Sequence, residues 1–419
     1  TTQVGSSIPS DDDNVVILPG RTVTLPSDIA TTGLNITIEP GGFLDLSTYQ
    51  FTAATGLASL DGQGTLKISG SYFPKVTTNN FITATGGTTE FYNSTSYNLP
   101  TSQATYNNLA INKSGAIATQ TIDLTLNGNL QVKNGTFQIN DDTARRLKLT
   151  VNGDVTVSSG ASLTVGTGVT NSTTSPTGIT GSTSPAPFID YYDLQSHRVV
   201  LKGNFTNNGT VRFTNLAYPV YDKFPPTTLG TTSGFATVYF QGASDNSLLC
   251  AGPTDFYNLV LDKGTDQTFK LTLYTSGSYH YFRLFGANIS AGDGGTANPN
   301  LKKALWIRTG TLEVQGTTVI PSLTEGTTAA GSPNSDFIIP ANGALVVSGI
   351  DVIIQTTADD YREVNVAYGT SAPDNASMGI STSGSGSSLT LYGKLEMDEG
   401  FLTTKESGGI ITNSTSSGQ

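Results

Sequence analysis

The side chains that could do chemistry in this chain are few and lie far apart. Glycoside hydrolysis needs two carboxyl groups converging across a cleft, and the nearest acidic pairs are Asp141 with Asp142 and Asp359 with Asp360. The first of these pairs falls at a corner after a strand ending at Ile139, where neighbouring carboxylates are normally solvated or shape the turn. A polysaccharide lyase would pair a basic proton acceptor with acidic calcium ligands. Arg145, Arg146, Lys302 and Lys303 are basic doublets at strand ends, which read as solvated faces. Asp11, Asp12 and Asp13 could hold calcium through carboxylate oxygens, but the run lacks the further alternating ligands of a calcium loop. Calcium there is the one cation reading left open, and no other cofactor is expected.

Only two histidines occur, His197 and His280, with Cys250 the sole thiol. A zinc centre needs more ligands, and Cys250 follows Leu248 and Leu249, so it reads as a small core residue. No catalytic residue is expected, and the chain reads as a non-enzyme. Aromatic clusters are the better candidates for ligand contact, because Tyr and His in loops can stack on sugars or form contact hot spots. They are Tyr191 and Tyr192 with His197, Tyr218 and Tyr221 with Phe224, and Tyr279, His280 and Tyr281 with Phe282. The six tyrosines are the candidate contact residues; the competing reading is that the clusters shield a core edge beneath long loops.

The elements that must position these residues are set by repeats. Residues 130–139, LQVKNGTFQI, match residues 305–314, LWIRTGTLEV, in type at ten consecutive positions. Two alternating apolar residues, a glycine corner and two more apolar residues recur as ITIEPGGFLDL (36–46), VTVSSGASLTV (155–165) and LEMDEGFLTT (395–404). A second corner, apolar-x-Gly-x-apolar, recurs as LNGNL (126–130), VNGDV (151–155), LKGNF (201–205) and LYGKL (391–395). Period-two alternation sends one side chain inward and the next outward. Glycine corners with positive φ fold such short strands into coils, and stacked coils share one interior. The spacing predicts an all-β fold, a right-handed parallel β-helix (solenoid) with coils of about 20 to 25 residues, continuous over 1–419 and read as a segment of a longer polypeptide. A string of immunoglobulin-like sandwiches ranks second, because its unit would be domain-sized.

Composition agrees. Of 419 residues, 47 are Gly and only 13% are charged, while Tyr and Phe together far outnumber Met and Trp, which favours strands. A net charge of −11 argues against nucleic acid and anionic lipid as partners. No apolar run approaches a membrane span, and one cysteine allows no internal disulfide. Four stretches rich in Pro, Gly, Ser and Thr break the rhythm, at 167–188, 217–234, 321–335 and 366–388. They predict loops inserted on the coil stack.

Several segments carry a likeness. DDDNVVILPGRTVTL (11–25), GLNITIEPGGFLDLSTYQFT (33–52), TYNNLAINKSG (105–115) and DFYNLVLDKG (255–264) resemble the large β-helical, adhesin-like surface proteins of Bacteroidota. That resemblance implies export by the type nine secretion system, a place at the cell surface or outside the cell, and roles in adhesion, gliding or biofilm. It implies surface glycans or proteins and the secretion and attachment machinery as partners. The sequence shows neither the signal peptide nor the C-terminal sorting domain of a complete member. From other classes, a carbohydrate-active β-helix enzyme and a viral or filament spike are the alternatives.

Overall fold

The computed structural model describes residues 9–140, 147–166, 197–213, 236–256, 258–276, 282–284, 305–316, 319–320, 337–347, 353–355, 377–380, 388–391, 394–397, 401–404 and 409–412. Among the described residues the chain is strand and turn with no helix. It divides into two compact units, Thr1–Asp141 with Leu147–Leu163, and Asp142–Arg146 with Thr164–Gln419.

In the first unit, strands return beside their predecessors in parallel at a near-constant interval. Asn14 faces Asn35, 21 residues on, Ile36 faces Leu60 after 24, and Leu109 faces Leu130 after 21. A parallel return needs a crossover of a dozen or more residues; here turns and further short strands supply it where other folds use a helix. The return length matches the coil that the repeats predict. Register then stacks like on like. Ile68, Phe91, Ile111, Val132 and Val157 form one inward ladder, and Leu109, Leu130 and Val155 form another beside it. All are buried, and each such side chain stabilises the stack by roughly 1.5–3 kcal/mol. A one-residue slip would turn every one of them outward.

The second unit is also parallel, but several of its returns are longer. His197 faces Ala236, 39 residues on, an interval that encloses 217–234; Gly310 faces Gly343 after 33, enclosing 321–335. The predicted insertions at 167–188, 217–234 and 321–335 lie outside the described residues. The fourth, 366–388, contains a strand, Ser377–Ile380, which pairs with Ile353–Gln355 and Phe401–Thr404 at the ordinary interval of 24. The apolar alternation of Met378 and Ile380 there is hidden by the Ser and Gly around it.

One sheet of this unit departs from simple alternation. Its inward ladders are Val199, Val238, Leu259 and Leu305, and Leu201, Phe240, Leu261 and Ile307. On the opposite parity, Val200, Tyr239 and Val260 are in register and also buried, with Trp306 packed against them. Strands buried on both faces read as continuous apolar runs, and VVL, VYF and LVL are such runs.

Candidate functional site

The candidate contact residues Tyr191, Tyr192, Tyr218, Tyr221, Tyr279 and Tyr281 lie outside the described residues, as do Asp141, Asp142, Arg145, Arg146, Lys302, Lys303, Asp359, Asp360 and His280. Phe282 is described: it is buried in an edge-to-face contact with Phe256 at 5.3 Å, a core role. Cys250 is buried, as its leucine neighbours suggest, and burial pushes its thiol up to about 12, the behaviour of an inert thiol. His197 is buried in the sheet opposite Ala236.

Many described acidic and amide side chains bind the backbone of the next parallel return of the chain. Asp11 Oδ1 accepts the N–H of Thr32 at 2.7 Å and Asp28 Oδ1 that of Gln50 at 2.9 Å. Asp123 accepts from Lys148 and Asp245 from Lys270, each at 2.8 Å. At the LNGNL and VNGDV corners, Asn108 accepts from Asn129, and Asn129 from Asp154. The corner glycines Gly128 and Gly153 are required by these amides and not by positive φ: a Cβ on either would lie 2.4 Å from the Asn oxygen below it. Asp13 accepts from the Ser10 N–H and hydroxyl, which holds its carboxyl below the usual range. Two of the three aspartates read as a calcium candidate thus shape turns and coil contacts, and among the described residues no group of three His, Cys, Asp or Glu could hold a metal.

The groups that sequence reasoning passed over are two lysines. Lys113 lies in the strand Asn108–Gln120 and Lys263 in Asn258–Lys263, at matching places in TYNNLAINKSG and DFYNLVLDKG. Leu109, Ile111 and Lys113 share one parity, as do Leu259, Leu261 and Lys263, so alternation carries both lysines inward. Both are fully buried. The signal was present in the apolar-x-apolar-x-Lys spacing.

Lys113 stands opposite Asn93 in the parallel register. Its Nζ donates to Asn93 Oδ1 at 2.5 Å and lies 3.3 Å from the centre of the Tyr97 ring. One acceptor and one ring face do not replace the water that an ammonium with three donors gives up, and burial lowers its pKa to about 8. Asn93 is held by two further hydrogen bonds. Its Oδ1 also accepts the Thr95 N–H at 2.9 Å, its Nδ2 donates to Ser69 O at 2.5 Å, and its backbone sits at φ 124°, a strained value for a residue with a Cβ.

Lys263 repeats the arrangement in the second unit. Its Nζ donates to Asn246 Oδ1 at 2.5 Å, and burial lowers its pKa to about 8 against the opposing pull of Asp245. The corner glycines of the ten-residue repeat close over both lysines. Gly135 and Gly310 have φ of 71° and 92°, the positive values expected of them. A Cβ on Gly135 would lie 1.9 Å from Lys113 O, and one on Gly310 would lie 2.9 Å from Lys263 Cβ.

Chemically, each site presents a desolvated amine, part of it neutral near pH 8, against a carboxamide held at hydrogen-bond distance. No family model, curated protein or solved structure matches the chain.

Proposed function

We propose that the chain is a right-handed parallel β-helix serving as exported cell-surface material, structural or adhesive in kind and not enzymatic, of the sort its sequence resembles among the Bacteroidota. The observation that carries this reading is how the coils spend their polar groups. Inward positions form apolar ladders such as Ile68, Phe91, Ile111, Val132 and Val157. Asp11, Asp28, Asn108, Asp123, Asn129 and Asp245 bind the N–H of a residue one coil away. Side-chain oxygens used in this way hold coils together along the stack, as a stalk or fibre under tension requires. Any partner is then met by outward residues and inserted loops, where Tyr191 and Tyr192, just after 167–188, and Tyr218 and Tyr221, within 217–234, would supply contact area at low entropic cost.

Attachment of protein-coated beads to glycan and abiotic surfaces tests this. Coated beads should bind above uncoated ones, and deleting 171–187 with 218–230 should reduce binding while leaving the β-sheet circular dichroism unchanged. Reproducible cleavage of a neutral or acidic polysaccharide, abolished by changing Asp359 and Asp360 to Asn, would overturn the non-enzymatic reading.

A further inference from the structure

We infer that Lys113 and Asn93 become joined by an intramolecular isopeptide bond, and that Lys263 and Asn246 form a second, so that each unit carries a covalent tie between one parallel return of the chain and the next. The bond would form whatever the coil stack is used for.

The argument rests on geometry that occurs twice. In each unit a fully buried lysine points its Nζ at a side-chain amide oxygen 2.5 Å away. With a C=O bond of about 1.2 Å, the amide carbon lies within about 3.7 Å of the nitrogen, close to the ~3–3.5 Å of a near-attack arrangement. Burial lowers the pKa of each amine to about 8, so part of it is neutral near that pH, and the neutral amine is the nucleophile. At the first site the electrophile is prepared as well. The Thr95 N–H is already on Asn93 Oδ1, where negative charge gathers during attack, Ser69 O fixes Nδ2, and the φ of 124° at Asn93 holds the side chain in place against its own backbone preference.

The step balances without an oxidant, a reductant or a co-reactant. Lys113 Nζ adds to Asn93 Cγ, and the carbonyl π pair moves to Oδ1. That pair then reforms the carbonyl as a proton passes from Nζ to Nδ2, the Cγ–Nδ2 bond breaks, and ammonia leaves. One C–N bond replaces another. The Tyr97 ring, its centre 3.3 Å from the amine, covers it against water while its face attracts the ammonium, so the lowered pKa comes from burial and not from the ring.

Intact-mass measurement of the full, denatured chain decides the matter. The expected mass is the sequence mass less two molecules of ammonia. Trypsin should fail to cut after Lys113 and Lys263, and fragmentation should place the links between Lys113 and Asn93 and between Lys263 and Asn246. Lys113→Met and Asn93→Gly should each restore one ammonia, the second without crowding, since Gly242 occupies the matching register beside Lys263. An unaltered sequence mass, with tryptic cleavage after both lysines, overturns the proposal even if every variant misfolds. A link at Lys263 alone overturns it for the site where Thr95 and the Asn93 backbone were argued to assist.

Discussion

The lysine sites of the two units place the same amine in the same part of the coil but recruit the asparagine from different positions. In the first unit, Asn93 stands directly opposite Lys113 with φ at 124°. In the second unit, the position opposite Lys263 is Gly242 at φ 101°, and the amide comes from Asn246, four residues further on. The backbone bend recurs with and without a side chain, so the bend belongs to the strand end and not to the asparagine. What recurs in the chemistry is a buried amine meeting an amide oxygen, reached by two routes. A buried amine is costly unless it is paired or neutral; keeping it at both places indicates a use that a leucine would not serve.

The comparison breaks most sharply at the glycines above the lysines. Gly135→Val would drive its Cβ to 1.9 Å from Lys113 O and 2.6 Å from Ala116 O, both backbone atoms. Gly310→Val meets Lys263 Cβ and Phe269 O at 2.9 Å, a milder overlap, though φ is positive at both. We expect Gly135→Val to destabilise its unit by about 3 kcal/mol or more and Gly310→Val by about 2 kcal/mol. Urea unfolding followed by circular dichroism measures both. Displacing the Lys113 backbone should also leave more chain without the first link in the mass spectrum. Equal costs for the two variants would mean that the closer packing at Gly135 has no energetic weight.

These glycines were legible before any coordinates, because the ten matched positions of 130–139 and 305–314 put Gly135 and Gly310 at one corner. So were the parallel coil interval and the apolar ladders, since period-two alternation reports directly on which side chains face inward. Three things were hidden. Val200, Tyr239 and Val260 sit on the parity that alternation assigns to solvent, and only the continuous run of apolar residues betrays a second buried face. Ser377–Ile380 is a strand inside a stretch whose Ser and Gly content reads as loop. The lysines carried a parity signal, but their partners did not: Asn93 is 20 residues from Lys113 and Asn246 is 17 from Lys263, and only coil register brings them together. The adjacent acidic pairs and aromatic clusters that drew attention first share no such spacing with the repeats.

A pH series sharpens the contrast between a tied and a free amine. In Asn93→Gly the link cannot form, and Lys113 stays a buried free amine. Burial is the cause of its lowered pKa, and removing Asn93 leaves that cause in place. Its folded pKa, about 8, then lies below the unfolded value of 10.5. Between these values the unfolded chain holds a proton that the folded chain does not, so stability must rise with pH across that window. Asn93→Gly should therefore gain stability relative to the parent from about pH 8 to 10.5, whereas Lys113→Met should run parallel to the parent. If the parent shows the rise and Lys113→Met removes it, Lys113 is a free amine in the native protein.

The smallest effect is expected where a lysine in each unit is paired at the surface. Lys133 meets Glu90 and Lys270 meets Glu313, each at 2.6 Å, with both lysine side chains 42% exposed. The carboxylates are only 9% and 13% exposed, but water and salt reach the lysine ends, which holds each pair to roughly 1 kcal/mol. The two should still differ. Glu90 also accepts from Asn112 at 3.3 Å, whereas Glu313 has Thr272 at 3.4 Å and Gln315 at 2.5 Å, so Glu313 is better provided for when its lysine is lost. Lys133→Met should cost up to about 1 kcal/mol and Lys270→Met about half of that or less, with both costs shrinking in ~1 M salt. The hydrogen bond to Glu313 raises the Lys270 pKa above 10.5, so its share of stability is fully present below pH 10.5 and is lost as pH climbs through the raised value. Denaturant titrations of the two variants at low and high salt, with one at alkaline pH for Lys270→Met, measure this. A cost for Lys270→Met that exceeds that of Lys133→Met, or that persists unchanged in high salt, would show that burial of the Glu313 carboxylate outweighs the exposure of Lys270.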